Sequence, residues 1–293
     1  MKFDKVTVLG GGVLGTQIGL MCAYYGKEVT FWLRSESSIS RTQPKIERYS
    51  EAMLADLEGA KALITNPVGR LLYPKGMIRD WQNISVEKID ELLDQARKNF
   101  AEKIHLQLDM AKAVEDADVV IESMSEDPNA KIEVYTALKD VLPEKTILCT
   151  NSSTMLPSRF AEYTGCPERY CALHFANTIW KNNTAEVMGH SKTDTEVFNN
   201  VVTFAEEIGM VPLQLRKEQP GYILNSVLVP FLSAAELLWA DDVADPETID
   251  LTWRLGTGAP KGPFEILDIV GLETVSDCSH GQARGVLIIK CSL

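Results

Sequence analysis

His174 is the histidine of this 293-residue chain that is best placed to exchange a proton with a ligand. It lies late in the apolar run Ala172–Phe175, which predicts a β-strand, and strands of an open parallel sheet deliver ligand-contacting residues at their carboxyl ends. An imidazole with an ordinary pKa of about 6.5 can exchange a proton with a hydroxyl or carbonyl group near neutral pH. A single histidine in a strand is more often a packed core residue, so a chemical role depends on its neighbours.

Glu186 is a candidate neighbour, because it follows His174 by twelve residues and the intervening loop can return it to the side of the imidazole. A carboxylate in that position fixes the tautomer of the ring and stabilises its protonated form. The two residues together indicate acid–base chemistry on a hydroxyl or carbonyl group. The six cysteines contain no CxxC pair, and no ligand spacing predicts a metal site.

A Gly-x-Gly-x-x-Gly turn over residues 10–15 indicates a dinucleotide site. It follows the apolar run Val6–Leu9 directly and opens the helical stretch Val13–Tyr25. The three glycines permit the tight turn, the approach of the backbone to a pyrophosphate and the close packing of helix on strand. The turn predicts a nicotinamide or flavin cofactor. A flavin monooxygenase is disfavoured, because the chain contains no second dinucleotide fingerprint. The alternative is a tight turn that binds no ligand. The predicted contact residues are Gly10, Gly12, Val13, Leu14 and Gly15.

The second strand, Glu28–Leu33, ends without the acid that normally binds the ribose hydroxyls of NAD. Leu33 and Arg34 stand at its tip and are candidate contacts, and Glu36 lies at about the right distance to replace the acid. Arg34 and the neighbouring serines can instead receive the 2′-phosphate of NADP, since guanidinium and hydroxyl groups suit a dianion. The predicted cofactor is therefore NAD or NADP, with Arg34 favouring NADP; an exposed arginine without a ligand is the alternative.

The order of the elements predicts an α/β fold, in which helices cover both faces of a mostly parallel sheet. We expect a dinucleotide-binding domain over residues 1–190, with a polar helical insert near 41–105, and a smaller all-α domain over residues 191–293. Gly221–Trp239 is apolar nearly all round and predicts a buried helix. Asn66–Asp80 predicts a loop inside the insert. The expected strands are Val6–Leu9, Glu28–Leu33, Asp118–Glu122, Thr146–Cys149, Ala172–Phe175 and Glu186–Met188.

Composition restricts the class of partner. The chain has 29 Lys+Arg against 41 Asp+Glu, a formal net charge of −12, which argues against nucleic acid or an anionic membrane as the main partner. The start of the chain predicts a strand rather than a signal peptide, and the longest apolar stretch, Tyr222–Leu238, carries too many polar groups for a membrane span. Scattered cysteines fit a reducing compartment. We expect a soluble, cytoplasmic protein that acts on a small molecule.

Six motifs occur in order between residue 5 and about residue 275. They are Gly10–Gly15, Asn151–Ser153, Leu173–Asn177, Ala185–Val187, Pro220–Asn225 and Gly262–Glu265. In this combination the chain resembles the short-chain L-3-hydroxyacyl-CoA dehydrogenase family. The resemblance implies a Rossmann domain followed by a helical domain through which two copies form a homodimer.

The resemblance also implies the role of each matching residue. His174 becomes the general acid/base and Glu186 its orienting carboxylate, while Ser153 and Asn225 hydrogen-bond the reacting oxygen and the catalytic site. The implied reaction is hydride transfer between NAD(P) and the β-carbon of a 3-hydroxyacyl-CoA or 3-ketoacyl-CoA. Further contacts to the nicotinamide cofactor are implied for Glu126, Lys131, Ser153 and Asn177.

Two stretches depart from the family pattern. Thr178–Thr184 lacks the proline-containing pattern of the fatty-acyl-CoA enzymes and is more similar to relatives that reduce small β-diketo esters or oxidise sugar acids such as L-gulonate. A small non-CoA β-dicarbonyl or 3-hydroxy acid is therefore the alternative substrate. After about residue 275 the resemblance stops and Ser276–Leu293 has no helical periodicity, which predicts an atypical or truncated end. A cofactor-binding homologue with impaired catalysis is the remaining alternative.

Overall fold

The computed structural model describes residues 3–66 and 76–270, and one eight-stranded sheet organises most of them. The strands are β1 (Lys5–Leu9), β2 (Glu28–Trp32), β3 (Ile104–Gln107), β4 (Val119–Glu122), β5 (Ile147–Thr150), β6 (Tyr170–Phe175), β7 (Thr184–Met188) and β8 (Val211–Gln214). They lie in the order β3-β2-β1-β4-β5-β6-β7-β8, and every neighbouring pair is parallel except β6 with β7. The predicted α/β fold with a mostly parallel sheet is confirmed.

Helices connect most of the strands, and several of them begin at a side chain that caps the first turn. The side chains of Ser85, Asp127 and Asp194 accept hydrogen bonds from first-turn N–H groups, which otherwise lack partners inside the helix. Pro128 follows Asp127 at the first helical position, where its missing N–H costs nothing. The helices up to β8 are α1 (Val13–Tyr24), α2 (Glu36–Ala60), α3 (Val86–Glu102), α4 (Met110–Val114), α5 (Pro128–Lys139) and α6 (Thr195–Glu207).

Both faces of the sheet are covered by apolar side chains. Along β4, Val119 and Ile121 join one buried cluster, whereas Val120 joins the other. Alternate residues of a strand point to opposite faces, so this distribution requires packing elements on both sides. The result explains why the central strands are continuous apolar runs.

The polar insert contains the predicted helices but also a strand that the sequence pattern did not indicate. The apolar face of α3 includes Ile89, Leu93 and Ala96, which are buried. β3 follows α3 and pairs in parallel with β2 at the edge of the sheet. Its four residues have one strand neighbour and are partly exposed, so they lack the apolar run that marks a central strand. Of the predicted loop, residues 67–75 lie outside the described part.

The chain divides into two compact units between Gln219 and Pro220, whereas the sequence suggested a division at residue 190. The difference arises because α6 and β8 belong to the sheet-bearing unit. β8 pairs with β7, and Phe204 of α6 packs edge-to-face on Phe3 with ring centroids 5.5 Å apart. The change to helical character near residue 190 was therefore a further crossover helix rather than the start of a new domain.

The second unit contains three described helices, α7 (Leu224–Ala240), α8 (Pro246–Thr257) and α9 (Pro263–Val270). The prediction that α7 is buried all round is wrong: in the structure its buried residues are Leu232 and Ala235, and Val227 is 67% exposed. Few described elements of this unit are available to cover its apolar faces. No helix within residues 3–66 and 76–270 combines the length and the apolar character needed to cross a bilayer. The expected change of character after residue 275 lies outside the described residues.

Candidate active site

The pairing of β6 with β7 brings the predicted acid–base residues together. His174 and Glu186 are partners in the antiparallel register, and the imidazole Nδ1 lies 3.0 Å from the carboxylate Oε2. The two residues are only 4% and 2% exposed. Because Nδ1 faces a carboxylate, it carries the proton of the neutral ring and donates a hydrogen bond to Glu186. Nε2 is therefore the nitrogen at which a proton can be exchanged with a ligand.

Ser153 lies beside that second nitrogen. Its Oγ is 3.3 Å from Nε2 of His174, and it stands in the turn that follows β5. Its hydroxyl donates to a neutral Nε2 and accepts from a protonated one. The structure thus places three of the four predicted catalytic residues in one connected group at the carboxyl end of the parallel strands.

Glu126 holds the turn that carries Ser153. Its carboxylate accepts hydrogen bonds from Ser152 Oγ at 2.7 Å, from the Ser153 backbone N at 3.1 Å and from Thr154 Oγ1 at 3.1 Å. Charge-assisted bonds of this kind order a polar turn more strongly than neutral ones. The structure shows Glu126 as an anchor of this turn, and its contact with a cofactor stays a prediction.

Asn151 is a further organising residue for which the sequence suggested no role. Its Oδ1 accepts from the backbone N of Phe175 at 3.1 Å, and its Nδ2 donates to Ser123 Oγ at 3.3 Å. Asn151 is 6% exposed and connects the ends of β4, β5 and β6. The available signal was its position, since a side-chain amide directly after a buried strand can bridge to neighbouring strand ends.

The glycine turn has the shape that a dinucleotide pyrophosphate requires. Gly10 adopts φ +109°, which an L side chain rarely takes, and a Cβ on Gly15 would lie 2.5 Å from the Gly10 carbonyl oxygen. Gly12 is the N-cap of α1, and a Cβ there would meet no atom within 4 Å. The helix N-terminus therefore opens onto free space, where backbone N–H groups and the helix dipole can hold phosphates. The residues present fit the cofactor that the motif predicts.

The tip of β2 presents basic and hydroxyl groups. Arg34 is exposed, whereas Leu33 is 2% exposed and can offer a ligand only its backbone. Ser35 caps α2 by accepting from Ser38 N, and its Oγ lies 2.9 Å from Ser37 Oγ. A guanidinium next to a group of hydroxyls suits the charge and the hydrogen-bonding oxygens of a 2′-phosphate.

Lys131 forms a buried ion pair, and its contact with a cofactor stays a prediction. It is 1% exposed and its Nζ lies 2.6 Å from Oε1 of Glu122, which is itself fully buried. Glu122 also accepts from Tyr135 Oη at 2.8 Å and Thr150 Oγ1 at 2.7 Å. Burial alone raises the pKa of Glu122, but the Lys131 charge and the hydrogen bonds from Lys131, the Met124 backbone N–H and Thr150 outweigh it and hold that pKa below its usual value. The lysine ammonium thus serves an internal ion pair, and spacing on a helix does not reveal which way a lysine turns.

Two further predicted residues lie on separate units, and Val13 and Leu14 form the first turn of α1, where Val13 is 46% exposed. Asn177 is exposed just after β6, and its backbone oxygen accepts from Asn182 Nδ2 at 2.8 Å. Asn225 lies in the first turn of α7 in the second unit, after Gly221 and Tyr222, which both have positive φ angles. Their roles remain predictions. Within residues 3–66 and 76–270, no group of three or more His, Cys, Asp or Glu side chains is arranged to hold a metal ion.

Two family models together match nearly the whole chain. The NAD-binding domain of 3-hydroxyacyl-CoA dehydrogenase matches residues 5–219, and the C-terminal domain of the same family matches residues 221–286. The boundary between the matches coincides with the division of the structure at 219/220. The second match also extends beyond residue 275, where the motif resemblance stopped.

Individual relatives agree with the family models. The chain is 30% identical over 273 residues to human mitochondrial hydroxyacyl-coenzyme A dehydrogenase, covering 92% of this chain and 76% of that protein. It is 33% identical over 162 residues to a 3-hydroxybutyryl-CoA dehydrogenase of Clostridioides difficile, covering 55% of this chain and 57% of that protein. A solved diketoreductase, described for dual catalysis of dicarbonyl compounds, is 43% identical with a TM-score of 0.78 over 97% of this chain and 89% of that one.

Proposed function

Because this chain belongs to the 3-hydroxyacyl-CoA dehydrogenase family, we propose that it interconverts the β-carbonyl and 3-hydroxyl groups of small dicarbonyl or 3-hydroxy acid compounds. The chain is an NAD(P)-dependent oxidoreductase that acts on CH–OH groups, as its relatives are. The observation that carries the proposal is the Glu186–His174–Ser153 series at the carboxyl end of the parallel strands, in which the carboxylate and the imidazole are buried and the serine is half-buried. It offers an exchangeable proton next to a hydrogen-bonding hydroxyl.

The proposed mechanism assigns one task to each of these residues. When bound, the nicotinamide cofactor supplies or accepts the hydride. In the reductive direction His174 donates the proton on Nε2 to the β-carbonyl oxygen, and Ser153 hydrogen-bonds that oxygen as it gains charge. Glu186 keeps Nδ1 protonated and stabilises the imidazolium. In the oxidative direction His174 removes the hydroxyl proton. The hydrogen-bonding role that the resemblance implies for Asn225 stays a prediction.

Contacts between α2 and the loop after β6 support a small substrate. Trp180 donates from Nε1 to Asp56 Oδ2 at 2.7 Å, and Lys181 Nζ lies 2.8 Å from Asp56 Oδ1. The Trp180 ring also packs against Tyr49 with centroids 6.1 Å apart. The resemblance also implies that the helical insert, which contains most of α2, lies near the CoA moiety of the acyl-CoA enzymes. Here these contacts join α2 to the loop after β6, which favours a compact ligand over one with a long carrier.

The 3-ketoacyl-CoA thioester is the second candidate substrate. The identity with the human hydroxyacyl-coenzyme A dehydrogenase over 92% of this chain favours it. The higher identity with the diketoreductase, at 43%, favours the dicarbonyl class. The two candidates share the β-carbonyl group and differ in what is attached beyond it.

For the cofactor, the proposal is NADP in preference to NAD. Exposed Arg34 and the hydroxyls of Ser35 and Ser37 lie where the adenine ribose is bound in this fold, and the usual acid is absent. A dianionic 2′-phosphate would neutralise the guanidinium, whereas the ribose hydroxyls of NAD would leave it unpaired.

The deciding experiment follows nicotinamide absorbance with NADH and NADPH in parallel, using a diketo ester, a free β-keto acid and acetoacetyl-CoA. Fast turnover of the diketo ester or keto acid is the expected result. A preference for acetoacetyl-CoA would make the 3-ketoacyl-CoA thioester, and not a small dicarbonyl compound, the substrate class. Binding of cofactor without any turnover would indicate a homologue with impaired catalysis.

His174→Ala tests the mechanism in the same assay. The expected loss in kcat is about 10²- to 10⁴-fold, the usual contribution of general acid–base catalysis, while the cofactor Kd is retained. Unchanged turnover in this variant would remove His174 from the mechanism.

We also propose that two copies associate through the second unit. Its helix α7 exposes Val227 and Leu237, at 67% and 59%, and such apolar surface is typical of a protein interface. Light scattering coupled to size exclusion measures the mass directly. A monomer at micromolar concentration would contradict this part of the proposal.

A further inference from the structure

Gln17 links the helix of the glycine turn to the loop that follows the His174 strand. It lies in α1 two residues after Gly15 and is 3% exposed. Its side-chain oxygen accepts from the backbone N of Thr178 at 2.8 Å and from that of Ile179 at 3.3 Å. Both donors are more than 160 residues away in sequence. One buried amide oxygen thus satisfies two consecutive backbone donors.

The backbone at Thr178 needs support of this kind. Thr178 has φ +59°, in the left-handed region that β-branched residues rarely adopt. Its carbonyl oxygen accepts from the N of Lys181 at 2.8 Å and of Asn182 at 2.9 Å, which makes a tight reversal. Ile179 is fully buried, so its N–H has no route to water if Gln17 is removed. The conformation therefore depends on an acceptor from outside the loop.

Glutamine is chemically suited to this position. Its amide oxygen has two lone pairs and can accept from both N–H groups without bringing a charge into a buried site. A leucine of similar size would leave both donors unpaired. A proline at position 178 would remove one donor and forbid the left-handed φ, since its ring holds φ near about −65°. The contact therefore needs both a residue other than proline at position 178 and an acceptor side chain at position 17.

We propose that Gln17 is a positioning residue that holds the loop after His174 in register with the cofactor-binding helix. The loop begins at Ala176, two residues after His174, and carries Asn177 on its exposed side. Through Gln17, the glycine turn and this loop form one rigid edge of the ligand site. The inference deepens the proposed function and rests on it in one respect, namely that a nicotinamide cofactor binds along this edge.

The first test compares Gln17→Leu with a matched control, Cys22→Ala. Cys22 is fully buried in the same helix but belongs to the apolar cluster, so its truncation reports a loss of packing alone. The measurements are the Kd of NADH and NADPH by fluorescence titration, kcat and the melting temperature. We expect Gln17→Leu to weaken cofactor binding about tenfold and to lower kcat, whereas Cys22→Ala lowers the melting temperature only.

A second variant on the other side of the contact keeps the inference testable if Gln17→Leu folds poorly. Thr178→Pro changes only the loop and is expected to weaken cofactor binding as Gln17→Leu does. The double variant Gln17→Leu/Thr178→Pro should then be no worse than the weaker binder of the two, because both changes break the same contact. Losses that multiply, or a Gln17→Leu protein with the cofactor Kd of Cys22→Ala, would overturn the inference.

The cofactor titration separates this inference from the proposed function, since it needs no substrate. If wild-type protein fails to turn over any dicarbonyl compound but Gln17→Leu still weakens cofactor binding, the proposed function fails and the positioning role stands. If wild-type turnover is fast and Gln17→Leu leaves both the cofactor Kd and kcat unchanged, the proposed function stands and the positioning role of Gln17 fails.

Discussion

Glu186 lies directly opposite His174 across the antiparallel β6–β7 pair, with Oε2 3.0 Å from the imidazole Nδ1. His174 and Glu186 are themselves 4% and 2% exposed, so the two polar side chains interact away from bulk water. The pairs on either side, Leu173 with Val187 and Phe175 with Ala185, are apolar and buried on the opposite face of the sheet. The reversal of direction between these strands is what places them opposite each other. This antiparallel pair, in an otherwise parallel sheet, positions the carboxylate that orients His174.

Glu186→Gln should reduce kcat while leaving the cofactor Kd near that of the wild type. Glutamine keeps the size of the side chain but loses the charge, and its amide N–H₂ can turn the imidazole to the wrong tautomer. The expected loss in kcat is about 10²- to 10⁴-fold, as for other histidines deprived of their orienting carboxylate. Steady-state kinetics with the best substrate measures it, and Glu196→Gln, on the exposed start of α6, is the control. A kcat within twofold of the wild type would show that Glu186 does not orient His174.

Arg34→Ala should raise the KM for NADPH about tenfold and leave the KM for NADH nearly unchanged. The guanidinium is exposed at the tip of β2, and its charge is useful only to a cofactor that carries a 2′-phosphate. Arg48→Ala is the matched control, because it also removes an exposed guanidinium, in this case one that lies within α2. Equal effects on the two cofactors would remove Arg34 from 2′-phosphate recognition.

Lys131→Met should destabilise the protein by about 3–5 kcal/mol at pH 7, because it leaves the buried Glu122 carboxylate without its counter-charge. In the wild type the folded-state pKa of Glu122 is below its usual value, so the ionised carboxylate adds to the free energy of unfolding at pH values above the usual pKa. That contribution is lost as the pH falls through the lowered folded-state pKa. In the variant, burial raises the pKa of Glu122, and protonation relieves the unpaired charge. The difference in unfolding free energy between the two proteins should therefore narrow toward acid pH.

Urea denaturation at pH 7, 5 and 4 measures this difference. Lys88→Met is the control, because Lys88 pairs with Glu91 at the surface and both side chains are more than half exposed, so its loss should cost less than about 1 kcal/mol. A difference between wild type and Lys131→Met that stays constant with pH would mean that Glu122 is not the group that titrates.

Trp180→Leu should shift substrate preference toward the CoA thioester. The change removes the hydrogen bond to Asp56 and part of the ring that closes the space beside α2. We expect the ratio of kcat/KM for acetoacetyl-CoA to that for a diketo ester to rise about tenfold, since the larger ligand gains most from the opening. Trp81→Leu, a change in another buried tryptophan of the same unit, controls for a general loss of packing. An unchanged ratio would show that this contact does not limit substrate size.

Local patterns predicted the parts of the site that depend on chain direction and spacing. The glycine turn was identified because its three glycines must stand between a strand and a helix, and the structure shows Gly12 at that helix N-terminus. His174 was identified from its place at the end of an apolar run. The edge strands β3 and β8 were missed, since strands of four residues with partial exposure lack a distinctive pattern.

By itself, the sequence determined the α/β fold, the dinucleotide site and the pairing of His174 with Glu186. The fold follows from the order of helices and strands along the chain, and the other two follow from residue spacing within a single stretch. Only the tertiary structure decided that Lys131 turns inward to Glu122 and that Gln17 supports Thr178. It also decided that the first unit continues to Gln219. The physical reason is the same in each case: the direction of a side chain and its contacts with distant residues are set by packing, which spacing along the chain does not encode.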